Sequence, residues 1–281
     1  MELAAASLPR VMEREPRAEP LELHLLTGRR FWYQAAFCLW TFARQSGRKL
    51  RAVIYDDGTL DAGQCDALAR VVSELKLNSR QSIQERLDLH LPRSRFPSLR
   101  SRADDFVLLH KLMDPHVGLT GWKLLIDCDL LFFHRPLLLL DWLENPICPL
   151  HALDFQNAYG YPLSVLSRLA GAPVPECVNT GLLGLCSEQI DWERMEYWCR
   201  LLMAEHGARY YQEQAFVAML LAHSPRRAAP ASDYVTLPRV PEALECKAVM
   251  HHYVAESKRW YYQFNWKRVT EDVVTGRACT S

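Results

Sequence analysis

The chain has 281 residues, 49% of them hydrophobic, enough to bury a large core in one α/β domain with terminal additions. Lys plus Arg (33) equals Asp plus Glu (33), which excludes a bulk electrostatic pull toward nucleic acid or an anionic membrane and leaves any anionic ligand to local groups. Nine scattered cysteines, an odd number with no CxxC pair, exclude a zinc knuckle or thioredoxin-like motif and point to a reducing, cytoplasmic setting.

Residues 1–20 carry acids and prolines where a secretory signal needs a basic start and an apolar run, so they read as a flexible leader to a single domain over 21–281. Leu21 to Leu26 predicts a strand, and Phe31 to Gln45, with apolar residues at helical spacing and Gly47 as a stop, predicts a helix. Leu50 to Tyr55 is a second strand closed by Asp56-Asp57-Gly58, a turn signal, and Asp61 to Leu75 reads as the next helix. This alternation predicts a parallel, doubly wound sheet. From Leu77 to Arg102 the pattern dissolves into polar residues, a connecting helix and loop, before a helix at Phe106 to Met113.

Trp122 to Ile126 is an apolar strand that runs into Asp127-Cys128-Asp129, with Leu130 to Phe133 continuing apolar. A helix around Leu137 to Glu144, strands at Cys148 to Leu153 and Gly181 to Cys186, helices at Trp192 to Glu205 and Glu213 to Ala222, and a last strand at Lys247 to His251 complete the chain. The longest apolar stretch, Leu124 to Leu143, is broken by Asp127, Asp129, His134, Arg135, Pro136 and Asp141, which predicts no membrane span.

The strand before the Asp127-x-Asp129 pair delivers two acids to its carboxyl end, where open α/β sheets bind ligands. Two carboxylates one residue apart at such a turn suit Mn²⁺ or Mg²⁺, which combine one or two carboxylates with phosphate oxygens. A DxD triplet alone also marks solvated turns. The apolar residues on both sides favour a metal site here, since unpaired acids in that setting carry a large desolvation cost. Asp56 and Asp57 form a rival pair, but the following Gly58 favours a turn.

With His252-Tyr253-Val254-Ala255-Glu256-Ser257-Lys258-Arg259-Trp260 added, the chain resembles the retaining GT-A glycosyltransferases of the glycogenin and galactosyltransferase type (family 8) over roughly Leu21 to Trp260. Their tail motif is H-F-x-G-x-x-K-P-W; Ala255 stands at its Gly and Arg259 at its Pro. The resemblance implies a GT-A fold with a mainly parallel mixed sheet flanked by helices, and a nucleotide-sugar donor, UDP-linked, used with retention. It makes His252 the third metal ligand beside Asp127 and Asp129, with Cys128 between them, and Lys258 a contact to the donor diphosphate. Thr27 is similar to the residue that meets the base, with Phe31 or Tyr33 for its stacking tyrosine. Lys111 stands near the place of a donor-binding arginine, or is a solvated helix lysine. Asn179-Thr180-Gly181 resembles a segment that touches the donor sugar, and Glu213-Gln214 a pair near the reacting carbon. Asp154 could accept sugar hydroxyls or cap a turn.

Two groups keep two readings each. Trp260, Tyr261, Tyr262, Phe264 and Trp266 form an acceptor-stacking platform or a clasp for the tail. Arg93, Arg95, Arg100 and Arg102 are solvated surface or a contact for a charged acceptor. Two other function classes fit the sequence less well. A nucleotidyltransferase would show a glycine-rich phosphate loop near its start, of which Thr27-Gly28-Arg29-Arg30 is only an echo. A catalytically silent binding protein is the reading that Ala255 keeps open. The acceptor is unspecified by the sequence.

Overall fold

The computed structural model describes residues 1–14 and 18–275, with side chains to 271. Residues 15–17 of the expected leader and the end of the expected domain, residues 276–281 with Cys279, lie outside the described residues. The first residues of that leader form a short helix, Glu2–Ala6, and Ala5 and Leu8 are buried in the core.

The described residues form ten strands: β1 (Leu21–Thr27), β2 (Leu50–Asp56), β3 (Glu74–Asn78), β4 (Trp122–Ile126), β5 (Leu130–Phe132), β6 (Leu150–Leu153), β7 (Val178–Cys186), β8 (Arg227–Ala228), β9 (Tyr234–Thr236) and β10 (Met250–His252). Seven of them make one sheet in the order β3-β2-β1-β4-β7-β6-β8, and three make a small sheet in the order β5-β10-β9. Pairs β1–β2, β1–β4, β2–β3 and β6–β8 run parallel, while β7 is antiparallel to both β4 and β6, so the sheet is mixed and mainly parallel.

Two apolar layers cover the large sheet. Leu23, Leu25, Phe37, Trp40 and Phe132 belong to one, and Val53, Leu112, Leu183, Trp198 and Phe216 to the other. Alternation along each strand divides its residues between the layers. The helix Trp32–Ser46 stops at Gly47, whose φ of 67° is the left-handed conformation that glycine adopts without a Cβ penalty. Among the described residues no helix is long and apolar enough to cross a membrane, and all eight cysteines there are free thiols.

Several elements differ from the sequence expectation. The helix expected to reach Leu75 ends at Val71, and Ser73 hydrogen-bonds back to Leu50 so that Glu74–Asn78 becomes an edge strand. Leu130–Phe132 does not extend β4 but starts the small sheet, because the chain turns at Asp127 to Asp129. The last strand is Met250–His252, which places His252 inside a strand instead of after it. Helices Arg80–His90 and Pro97–Asp105 fill the stretch read as a connector, and Leu163–Ala170 was not foreseen.

Candidate metal and donor site

The Asp127-Cys128-Asp129 turn joins the two sheets. Asp127 N donates to Gly181 O (2.8 Å) at the carboxyl end of β4, and Tyr253 N donates to Asp129 O (3.1 Å) at the small sheet. The antiparallel register of β5 and β10 sets His252 opposite Leu130, one residue from Asp129. A register shift between β6 and β7, from His151↔Leu183 to Ala152↔Asn179, lets Thr180 and Gly181 bulge toward the same point.

The three ligands expected from the sequence meet there, with one donor atom each from Asp127, Asp129 and His252 within 4.8 Å of one another. His252 Nε2 lies 3.5 Å from Asp127 Oδ2 and 3.3 Å from Asp129 Oδ1, and it makes no hydrogen bond of normal geometry. The other oxygen of each acid carries a lysine: Lys111 Nζ is 2.7 Å from Asp127 Oδ1, and Lys258 Nζ is 3.3 Å from Asp129 Oδ2. The lysines thus hold the outer oxygens and turn the inner ones toward His252. A buried nitrogen without a hydrogen-bond partner, facing two carboxylate oxygens, is a donor set that fits Mn²⁺ or Mg²⁺.

Electrostatics follow from this packing. Burial raises the carboxyl pKa of Asp127, but the Lys111 ammonium and His252 outweigh it and hold the group below the usual carboxylate range. Burial lowers the pKa of His252, and the two carboxylates reverse that and raise it to about 9. Lys111 is likewise raised against its burial by Asp127 and Glu213. With its side chain 14% exposed and its ammonium on Asp127, it is a largely covered counter-ion and not a solvated helix lysine.

The remaining candidates divide. Asn179 accepts at Oδ1 from His252 Nδ1 (3.1 Å) and Gly181 N (2.9 Å), and its Nδ2 donates to Asp154 Oδ2 (3.1 Å). Gln214 Nε2 donates to Asp154 Oδ2 (3.2 Å) and to Ala158 O (2.9 Å). Glu213 is buried, accepts from Thr180 Oγ1 (2.9 Å), and has its pKa raised by burial. Cys128 Sγ donates to Leu26 O (3.1 Å) beside Thr27, and burial raises its pKa to about 12. Thr27 is buried at the end of β1. Phe31 is 39% exposed under the Arg30 guanidinium, whereas Tyr33 is engaged by Tyr262, so Phe31 is the available ring of the two. Ala255 has a φ of 45°, the left-handed conformation a glycine would take.

Both paired readings have an outcome. Tyr261 is fully buried and Trp266 packs on Phe37, so these two clasp the tail. Trp260 instead lines a groove of about 580 Å³ with Asp154, Phe155, Thr236 and Arg259, which the sequence had not revealed. The arginine cluster divides: Arg93 and Arg95 are exposed and pair with Asp104 and Glu193 on the surface, while Arg100 and Arg102 are buried and held by Asp88 and Gln212. The Asp56 carboxylate accepts from Gly58 N (2.9 Å) and Thr59 N (3.2 Å), the expected turn.

No protein-family model and no curated protein sequence matches the chain. Solved structures do. Mouse xyloside xylosyltransferase 1 superposes with a TM-score of 0.50 at 14% identity, covering 85% of this chain and 99% of that one. The galactosyltransferase LgtC, solved with donor and acceptor sugar analogues, gives 0.58 at 12% identity over 90% of this chain and 95% of that one. The glycosyltransferase GlyE of Streptococcus pneumoniae gives 0.52 at 12% identity, covering 94% of this chain and 66% of that one. The chain therefore has the GT-A fold of these glycosyltransferases.

Proposed function

We propose that the chain is a metal-dependent glycosyltransferase that moves a sugar from a UDP-sugar to an acceptor with retention of configuration. The observation that carries this reading is the convergence of Asp127 Oδ2, Asp129 Oδ1 and His252 Nε2 at the carboxyl end of β4, in a fold whose solved neighbours are glycosyltransferases. A divalent cation on these atoms supplies charge that stabilises the departing nucleoside diphosphate.

The chain's own groups do the rest. Lys258, 47% exposed beside Asp129, can swing from the carboxylate to a phosphate oxygen. Thr27 and Phe31 receive the base at the end of β1. Gln214 spends its amide hydrogens on Asp154 and Ala158 O, which leaves its carbonyl to guide the acceptor hydroxyl to the anomeric carbon on the face the diphosphate leaves. Asn179 and Gly181 frame the sugar from β7, and the groove beside Asp154 and Trp260 receives the acceptor. The free thiols are in keeping with a reducing, cytoplasmic setting.

Calorimetry with UDP, GDP and CDP, each with Mn²⁺ and with EDTA, on wild type and Asp129→Asn, tests the reading. Metal-dependent binding of UDP that is lost in the variant supports it, as does metal-dependent UDP release from a UDP-sugar. Binding without any turnover would make the protein a silent nucleotide-binding module. A trapped glycosyl-enzyme adduct would replace the front-face route.

A further inference from the structure

We infer that Asp154 is a positioning residue for the metal centre: through Asn179 it holds the proton on Nδ1 of His252, so that Nε2 is the nitrogen left to bind a cation. This rests on the reading of Asp127, Asp129 and His252 as ligands. It gives Asp154 and Asn179 a role apart from sugar contact.

The direction of every hydrogen bond in the relay is fixed by groups of unambiguous character. A backbone N–H can only donate, so the atom of Asn179 that lies 2.9 Å from Gly181 N is its oxygen. An ionised carboxylate can only accept, so the atom 3.1 Å from Asp154 Oδ2 is the amide nitrogen. Both neighbours demand the same orientation of the amide. Its Oδ1, which cannot donate, then faces His252 Nδ1 at 3.1 Å and requires a proton there. Asp154 is itself anchored, with Oδ1 accepting from Phe155 N (2.9 Å) and Oδ2 from Gln214 Nε2 (3.2 Å). If the amide turned over, its NH₂ would face Nδ1 and hold the ring proton on Nε2 against the two carboxylates, the form that cannot ligate. Groups that orient a ligating histidine in this way typically change metal affinity by about 10–100-fold when removed.

The test compares wild type, Asp154→Ala and Asp154→Asn, without nucleotide, by two measurements. Calorimetric titration with MnCl₂ should show Asp154→Ala weaker by about tenfold or more, with Asp154→Asn, which retains an acceptor oxygen for Asn179, within about threefold of wild type. Nitrogen-15 NMR of histidine-labelled, metal-free protein above pH 9, where the ring is neutral, with the His252 signals identified by their loss in His252→Gln, should show the proton on Nδ1 and none on Nε2. That proton should exchange faster in Asp154→Ala and remain protected in Asp154→Asn. An unprotonated Nδ1 in the wild type overturns the relay whether or not a variant folds. So does an Asp154→Asn variant that loses as much affinity as Asp154→Ala, because charge and not orientation would then be at work. The NMR measurement needs neither metal nor donor. A wild type that binds no Mn²⁺ while its Nδ1 proton depends on Asp154 would therefore overturn the metal reading and leave the relay standing.

Discussion

Gly181 has no side chain where His252 needs the room: a Cβ at position 181 would lie 2.1 Å from His252 Cε1 and 2.5 Å from Nδ1. The imidazole reaches its place between two carboxylates only because β7 bulges there and carries a glycine. Gly181→Ala should push the ring away from Asp127 and Asp129. We expect Mn²⁺ binding to fall at least tenfold, with a stability loss of about 1–3 kcal/mol from overpacking. Calorimetry and thermal melts measure both, and unchanged Mn²⁺ affinity would show that the ring has another seat.

The same imidazole sets a pH window. Burial favours the neutral ring, but Asp127 and Asp129 outweigh it and raise the pKa of His252 from 6.5 to about 9. A cation must displace the Nε2 proton, so between pH 6.5 and 9 metal affinity should rise by about tenfold per pH unit and then level. For the metal-free protein the sign is the reverse. A raised pKa means that His252 stabilises the fold fully below pH 6.5, and this contribution, roughly 3 kcal/mol, is lost as pH rises through 9. Melting in EDTA and titration with MgCl₂ across this range check both halves; a metal affinity that is flat with pH would sink the assignment.

Much of this site was legible because its parts announce themselves locally. An apolar strand ending in Asp127-Cys128-Asp129, and a histidine six residues before Lys258, need no knowledge of distant pairing. What was illegible depends on partners far away in sequence. Lys111 reads equally as a donor contact or a solvated helix lysine, and its pairing with Asp127 shows only once the fold brings the two together. Asn179 and Asp154, 25 positions apart, become one unit only through the register shift between β6 and β7. Edge strand β3 was divided between the preceding helix and the connector because Glu74 to Asn78 is mostly exposed and has weak apolar signal. Of the arginines from 93 to 102, Arg93 and Arg95 are surface residues as one reading had it, whereas the burial of Arg100 and Arg102 depends on Leu91 and Gln212, which no local pattern marks as partners.

Ala255 occupies a backbone conformation that costs an L-residue about 1–2 kcal/mol relative to the right-handed region. Cys177, two residues before Asn179, and Leu237, in the groove, also have positive φ, whereas Cys246, the fourth such non-glycine residue among those described, caps the helix Val240–Glu245. Ala255→Gly removes the clash and adds chain entropy, for a net gain of up to about 1 kcal/mol, seen as a rise in Tm of roughly 2–4 °C. Donor affinity should be equal or better. A lower Tm or weaker UDP binding would mean that the Ala255 methyl makes contacts worth more than the strain.

Lys111 and Lys258 sit on matching oxygens of the two acids but should behave differently on removal. Lys111 is 14% exposed and faces the buried Glu213 as well as the half-buried Asp127, so Lys111→Met leaves Glu213 without a counter-ion and Asp127 with His252 alone. Removing one partner of a partly covered pair in this way should cost about 1–3 kcal/mol, which a denaturant melt will register. Lys258 is 47% exposed, and its pairing with Asp129 is worth at most about 1 kcal/mol. Lys258→Met should therefore melt with the wild type and bind Mn²⁺ no more weakly, since Asp129 loses a competing cation. Its defect should show only with the diphosphate present, as a loss of about tenfold or more in UDP affinity or transfer rate, on the scale of one charge-assisted contact. If UDP affinity and transfer both stay at the wild-type level, Lys258 is a surface ion pair, and the positive charge that meets the leaving group comes from elsewhere in the site.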